Sequence, residues 1–186
     1  LRYIVAAWNT NLDDQLPSSF QNLVNLQWLH INDSFLTGEM HSFARMGDLR
    51  TLWANDNAFS GQIPDFSNNT RLRNIDLSQQ RLNGGGLTGD WGQYWNNGSF
   101  TNLIALRATF NNITGTLHGF DKLNLKVFNV DGNDMNGSIP PSITSNNRLI
   151  ILGLGWNEFS GQIPQVGWDK HYSTRYIRMQ DNNLEG

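Results

Sequence analysis

An eight-residue phrase recurs along this chain and restricts its fold more than any other feature. NAFSGQIP at 57–64 and NEFSGQIP at 157–164 differ at one position, and NDMNGSIP at 133–140 keeps the same skeleton. Asn, Gly and Pro are usually selected for the backbone conformations that they allow. Their recurrence in fixed places indicates a chain built from structural repeats.

The repeat extends over the whole chain when the copies are aligned on the first Asn of the phrase, called here the reference position n. The residues at n are Thr10, Ser34, Asn57, Gln80, Asn111, Asn133, Asn157 and Asn182. Six of the seven intervals are 22–25 residues and one is 31. Positions n−5, n−3 and n+2 are always apolar, and Gly fills n+4 in seven of eight copies. Such a period predicts a solenoid.

This frame, L-x-x-L-x-L-x-x-N-x-L-x-G-x-I-P, resembles the leucine-rich repeat in its plant-type form. The resemblance implies an α/β solenoid, a right-handed superhelix with a parallel concave β-sheet, about eight repeats and little regular helix. Inward alternation at n−5 and n−3 predicts one short strand per coil. The side-chain amide at n is expected to bond backbone groups of the same and the next coil. Residues 1–186 are interpreted as one domain, an internal segment of a longer array.

The 31-residue interval indicates an insertion around 84–96, where consecutive glycines are followed by Trp91 and Trp95. One interpretation is a surface insertion, which a solenoid tolerates at small cost. The other is a loop that folds over one side of the solenoid and supplies exposed aromatic contacts.

Positions n−6, n−4, n−2 and n−1 are predicted to line the concave face, where Trp and Arg are favoured interface anchors. The candidate ligand-binding residues are Trp8, Trp28, His30, Trp53, Asp56, Asp76, Arg107, Phe110, Trp156, Tyr176 and Arg178. Trp8, Trp28 and Trp53 are predicted to form one patch beside His30. One interpretation is an extended peptide held in aromatic pockets by charged clamps. The other is an aromatic ladder that only stabilises neighbouring strands.

The resemblance implies an extracellular recognition module of a plant receptor-like kinase or receptor-like protein. Its expected partners are a peptide or protein on the concave face and a co-receptor. Membrane attachment would come only through segments outside this chain. The alternatives are a secreted inhibitor of a microbial cell-wall-degrading enzyme and a structural glycoprotein of a surface assembly.

Composition supports a secretory route and gives little support to catalysis. Candidate glycosylation sites of the N-x-S/T type are Asn32, Asn68, Asn97, Asn112 and Asn136. A formal net charge of −3 supplies no basic field for nucleic acid. Cysteine is absent and the four histidines fall in different columns of the repeat. We therefore expect no metal, no cofactor and no enzymatic activity.

Overall fold

The computed structural model describes residues 1–96, 98–165, 167–170 and 172–186. The strands in these residues are β1 (Tyr3–Val5), β2 (Trp28–His30), β3 (Thr37–Glu39), β4 (Thr51–Trp53), β5 (Ala58–Gln62), β6 (Asn74–Asp76), β7 (Gly86–Asp90), β8 (Ala105–Arg107), β9 (Asn112–Thr114), β10 (Val127–Asn129), β11 (Asn136–Ser138), β12 (Ile151–Gly153), β13 (Glu158–Gln162), β14 (Tyr176–Arg178) and β15 (Asn183–Glu185). The helices are α1 (Gly92–Asn96) and the 3₁₀ helices η1 (Ser18–Asn22), η2 (Arg81–Asn83), η3 (Phe120–Lys122), η4 (Pro141–Ser145) and η5 (Trp168–Lys170). No helix in the described ranges combines the length and apolar character needed to cross a bilayer.

Each described coil contributes one three-residue strand to a parallel concave sheet, in the order β1-β2-β4-β6-β8-β10-β12-β14. The n−5 residues lie side by side in this sheet, so that Leu52 pairs with Leu29 on one side and with Ile75 on the other. Leu52, Leu106 and Leu152 are completely buried in one continuous core. The predicted solenoid is therefore confirmed, with its stability residing in contacts between neighbouring coils.

The residues after each reference position form a second set of parallel strands. They make one sheet of β3-β5-β7-β9 and one of β11-β13-β15 in the described part of the chain. The n+4 glycines Gly61 and Gly161 have φ of 77° and 76° within these strands. Gly adopts this conformation without the steric cost that a Cβ brings, which accounts for its recurrence at n+4.

The reference side chains form a ladder of hydrogen bonds inside the core. The Asn57 amide nitrogen donates to the carbonyl oxygens of Ile31 (2.9 Å) and Ala54 (3.1 Å). Its side-chain oxygen accepts from the N–H of Leu36 at 3.0 Å. Gln80 makes the same set of bonds with a longer arm. Ile31 and Leu36 belong to the coil before Asn57, so each reference side chain bonds its own coil to the preceding one. The prediction that it would bond the next coil was wrong.

Pairing in the concave sheet also corrects the predicted frame of the first coil. Tyr3 lies opposite Trp28 and Ile4 opposite Leu29, one residue earlier than the frame built on Thr10. Asn9, not Thr10, donates to the carbonyl of Ala6 at 3.0 Å in the manner of the other reference residues. The strand therefore turns Ile4 toward the core, while Val5, predicted to be inward, is 71% exposed.

A second frame correction concerns the long interval. The reference residue Asn111 accepts from the N–H of Leu87, as Gln80 accepts from Phe59. Leu87 is thus the n+2 residue of its coil, although the sequence frame placed Leu82 there. It follows Gln80 by seven residues, whereas Phe59 follows Asn57 by two, so five extra residues (7 − 2) lie at 81–85.

The rest of the segment 84–96 contributes aromatic side chains to the core. Trp91 is completely buried, and its ring centroid lies 6.1 Å from that of Phe66 and 5.9 Å from that of Phe100. Tyr94 completes this aromatic cluster and donates its hydroxyl to the carbonyl of Pro64 at 3.0 Å. The interpretation of Trp91 as an exposed contact was therefore wrong, and the side chain of Trp95 lies outside the described residues.

Candidate ligand-binding face

Two stacked ring pairs lie at one end of the concave face. The Trp28 ring lies 4.6 Å from that of Tyr3 with an interplanar angle of 9°, and the Trp53 ring lies 4.1 Å from that of His30 at 17°. Trp28 and His30 both point outward from β2, on either side of the inward Leu29, so the two ring pairs are neighbours. The guanidinium of Arg50 lies 5.8 Å above the Trp28 ring. We call Tyr3, Trp28, His30 and Trp53 the aromatic end.

Trp8 lies outside this group, contrary to the sequence frame. It occupies n−1 rather than n−2, with φ of 62°, and is 76% exposed. Among the described residues of this end, the ring contacts join Tyr3 to Trp28 and His30 to Trp53, and none involves Trp8. The patch therefore gains Tyr3, which the sequence frame missed, and does not include Trp8.

His30 is the polar group of the aromatic end. Its Nε2 is buried and has no hydrogen-bond partner among the described residues. Burial lowers the pKa of His30 below its usual value of 6.5. A neutral imidazole stacked on Trp53 therefore holds an unused hydrogen-bonding atom beside an apolar surface.

Every n−1 residue adopts a left-handed backbone conformation, which the sequence did not indicate. The column comprises Trp8, Asp33, Asp56, Gln79, Phe110, Gly132, Trp156 and Asp181, with φ between 51° and 72°. The chain uses this residue to turn from the strand into the reference residue. The candidates Asp56, Phe110 and Trp156 consequently lie at the bend bordering the concave sheet, and those on n−6 and n−4 lie within it.

Asp76 and Arg107 occupy the centre of the face. They are direct neighbours across β6 and β8. Burial raises the pKa of Asp76 above 3.8, while the backbone and side chain of Ser78 and the charge of Arg107 act in the opposite direction. The charge of Asp56 raises it further. This part of the face holds two acids near one cation and is suited to a cationic ligand group.

An ion pair spans the far end of the face. Arg178 Nε lies 3.1 Å from Asp131 Oδ2, and Asp131 Oδ1 accepts from the N–H of Gly155 at 2.8 Å. Asp131 is buried, which raises its pKa, while the Gly155 bond and Arg178 lower it. Arg178 was among the candidate ligand-binding residues, whereas Asp131, at an n−2 position predicted to line the concave face, was not. Tyr176, at the start of the same strand as Arg178, is exposed.

Known proteins carry the same repeat. A family model described as Leucine Rich Repeat matches residues 124–146. Receptor-like protein 39 of Arabidopsis thaliana is 29% identical over 155 residues, which is 82% of this chain and 14% of the relative. The chain folds as a leucine-rich repeat solenoid and is similar to plant leucine-rich repeat proteins.

Solved structures resemble this leucine-rich repeat chain over nearly its whole length. The crystal structure of PEPR1–AtPEP1 matches with a TM-score of 0.81 and 26% identity, over 93% of this chain and 24% of that one. The Arabidopsis receptor kinase HAESA, in complex with the peptide hormone IDA and the co-receptor SERK1, matches with a TM-score of 0.77 and 27% identity. That match covers 92% of this chain and 28% of the other. The chain thus spans between a seventh and about a quarter of these relatives.

The sequons of this leucine-rich repeat chain differ in accessibility. Asn68 and Asn136 are exposed, Asn32 and Asn112 are half-buried, and Asn97 lies outside the described residues. The described residues contain no group of three or more His, Cys, Asp or Glu side chains arranged to hold a metal ion.

Proposed function

We propose that this chain is an extracellular recognition module whose concave face binds an extended peptide or protein segment. The observation that carries the proposal is the aromatic end, where Trp53 is 41% exposed although its ring is already stacked on His30. Rings held in place before binding lose little conformational freedom when a ligand covers them. Trp is also the residue type most often dominant in interface energetics.

The length of the face fits an extended ligand. From β2 to β14 there are six strand spacings, about 29 Å at about 4.8 Å each. An extended chain of about nine residues covers that distance at about 3.3 Å per residue. Such a ligand would place an aromatic or aliphatic side chain against Trp28 and Trp53, and a cationic side chain near Asp56 and Asp76.

Relatives support this use of the fold. The PEPR1–AtPEP1 structure and the HAESA complex with a peptide hormone and a co-receptor share 26% and 27% identity with this chain. A co-receptor as second partner, a receptor-like kinase or receptor-like protein as the parent molecule, an extracellular location and glycosylation belong to the same proposal.

The test uses peptides selected on the purified chain from a random-peptide display library. We expect Trp28→Ala and Trp53→Ala each to weaken capture of the selected peptides at least about tenfold, the effect of removing an interface hot spot. Tyr172→Ala is the matched control, because Tyr172 is a strongly exposed aromatic residue between η5 and β14. Undiminished capture by both Trp variants would place peptide binding elsewhere.

A further inference from the structure

The edge of the solenoid that precedes the concave strands is basic, although the chain is acidic overall. Backbone hydrogen bonds join the n−7 residues of successive coils, for example from the Arg73 N–H to the Arg50 carbonyl at 2.8 Å. The column reads Arg2, Gln27, Arg50, Arg73, Ile104, Lys126, Ile150 and Arg175. Five of these eight residues are cationic and none is acidic, so the regular repeat concentrates positive charge on one edge.

Three adjoining pockets turn part of this edge into a trough. The first, about 220 Å³ in volume, is lined by Arg50, Arg71, Arg73 and Asn102. The second shares Arg73 and Asn102 with it and also includes Asn124 and Arg148. The third shares Asn124 and Arg148 and adds Ser142, Ser145 and Asn147, among others. We call this surface the basic trough.

The cations of the basic trough are available to a ligand to different degrees. Arg71 is paired with Asp48, which therefore neutralises part of the first pocket. Arg73 and Arg148 are exposed, and each lines two of the three pockets. No acidic side chain is among the described residues that line the trough. An anion is therefore the ligand that these groups would attract, with Arg73 and Arg148 as its principal contacts.

We propose that the basic trough binds an acidic polysaccharide of the polyuronate class. Its lining repeats arginine with amide and hydroxyl groups over five coils, about 19 Å at about 4.8 Å per strand spacing. Each sugar of a polyuronate carries one carboxylate and several hydroxyls, and so supplies a partner for both kinds of group. Arginine binds carboxylate through two parallel hydrogen bonds.

The same lining disfavours an acidic peptide as the ligand. Trp, Tyr and Phe are absent from the described residues that line the trough, and amide and hydroxyl groups outnumber its apolar side chains. Peptide and protein ligands usually depend on aromatic or aliphatic anchors for affinity. The trough borders the concave peptide site, and Arg50, which lines the first pocket, lies over Trp28.

The experiment measures oligogalacturonate binding to the purified chain by calorimetry at low ionic strength. We expect Arg73→Gln and Arg148→Gln each to lower the affinity about tenfold, since each removes a charged hydrogen-bonding partner. Arg81→Gln is the matched control: it removes an equal charge from η2, away from the trough, and should leave binding unchanged. Added salt should weaken binding to the wild type, as expected for exposed charges.

Three outcomes would overturn the proposal. They are equal binding of methyl-esterified oligogalacturonate, equal loss of binding in Arg81→Gln, and tighter binding of polyglutamate than of oligogalacturonate. The last outcome would assign the trough to acidic peptides instead. Trp53→Ala should retain oligogalacturonate binding, so failure of the concave peptide site and failure of the trough are distinguished in the same set of variants.

Discussion

Arg178 reaches Asp131 across an intervening strand, with 3.1 Å between Nε and Oδ2. Asp131 follows β10 and Arg178 ends β14, and β12 lies between these strands. The contact is possible because β12 and its following turn present Gly153 and Gly155. A Cβ on Gly153 would lie 2.9 Å from Asp131 Oδ1, and one on Gly155 would lie 2.8 Å from Gln180 Nε2. The missing side chain of Gly153 thus leaves space for the Asp131 carboxylate, and Gly155 donates its N–H to Asp131 Oδ1 at 2.8 Å.

Arg178→Gln is expected to reduce stability most at neutral pH. Loss of the cation leaves Asp131 buried and raises its pKa further above 3.8, so the ionised form becomes more costly. Because a raised folded-state pKa means that the folded protein binds more protons than the unfolded chain, stability falls as pH rises from the unfolded-state pKa of Asp131 through its folded-state pKa. We expect a loss of about 1–2 kcal/mol at pH 7, since Arg178 is 45% solvent-exposed and its pairing partly screened.

Urea unfolding at pH 7 and near pH 4 measures this effect, and the difference from wild type should shrink at the lower pH as Asp131 becomes protonated. Arg175→Gln, an equal charge change in the same coil, is the control. A loss of stability in Arg178→Gln that is the same at both pH values would contradict the role given to Asp131.

His30→Phe is expected to remove an acid-sensitive contribution to stability. The folded-state pKa of His30 is depressed below 6.5, so the unfolded chain binds the proton more readily. Wild-type stability therefore falls as pH decreases from 6.5 through the folded-state value, whereas Phe keeps a ring on Trp53 and does not titrate. As the pH is lowered from about 7.5 to about 4.5, the urea midpoint of the variant should rise relative to that of the wild type. Parallel curves over this range would contradict the prediction.

The repeat could be predicted because each column has one physical task. Leu52 and its equivalents must be apolar to share a core, and Asn57 must offer a donor and an acceptor to the buried backbone. The left-handed n−1 column was not predictable in this way. It contains Trp, Asp, Gln, Phe and Gly, which have no common side-chain chemistry, because the neighbouring coils impose the backbone conformation there.

Two features of the candidate site were missed because local sequence is ambiguous about register. Asn9 and Thr10 are adjacent polar residues, and only the pairing of Tyr3 with Trp28 shows which one is the reference residue. This one-residue slip removed Tyr3 from the predicted patch and added Trp8. Gly153 shows a different limit of the sequence: only the structure shows that its lack of a side chain leaves room for the Asp131 carboxylate.

Asn133→Ala is expected to destabilise the chain by about 2–4 kcal/mol. The side chain accepts from the N–H of Ile113 at 3.1 Å and donates to the carbonyls of Ala108 and Val130 at 2.8 and 2.9 Å. Alanine leaves these buried groups without partners, at about 1–3 kcal/mol for each uncompensated group. Asn133→Gln should recover part of the loss, because a glutamine performs this task at position 80.

Chemical denaturation measures the loss in Asn133→Ala, and hydrogen exchange at the Ile113 amide should accelerate in that variant. Asn136→Ala, at an exposed position of the same coil, is the control and should change stability by less than about 0.5 kcal/mol. An alanine variant as stable as this control would show that the ladder contributes little.

Trp91→Ala tests whether the segment 84–96 is part of the core. Removing the buried indole deletes its contacts with Phe66, Tyr94 and Phe100, and large aromatic-to-alanine changes in cores cost about 3–5 kcal/mol. The indole nitrogen of Trp91 is buried without a hydrogen-bond partner in the described residues. Trp91→Phe keeps a ring in the cluster and removes that unpaired donor. It should therefore lower the free energy of unfolding by less than half as much as Trp91→Ala does. Urea unfolding compares the two variants. A Trp91→Ala protein as stable as wild type would show that Trp91 lies at the surface, where it would be free to contact a ligand.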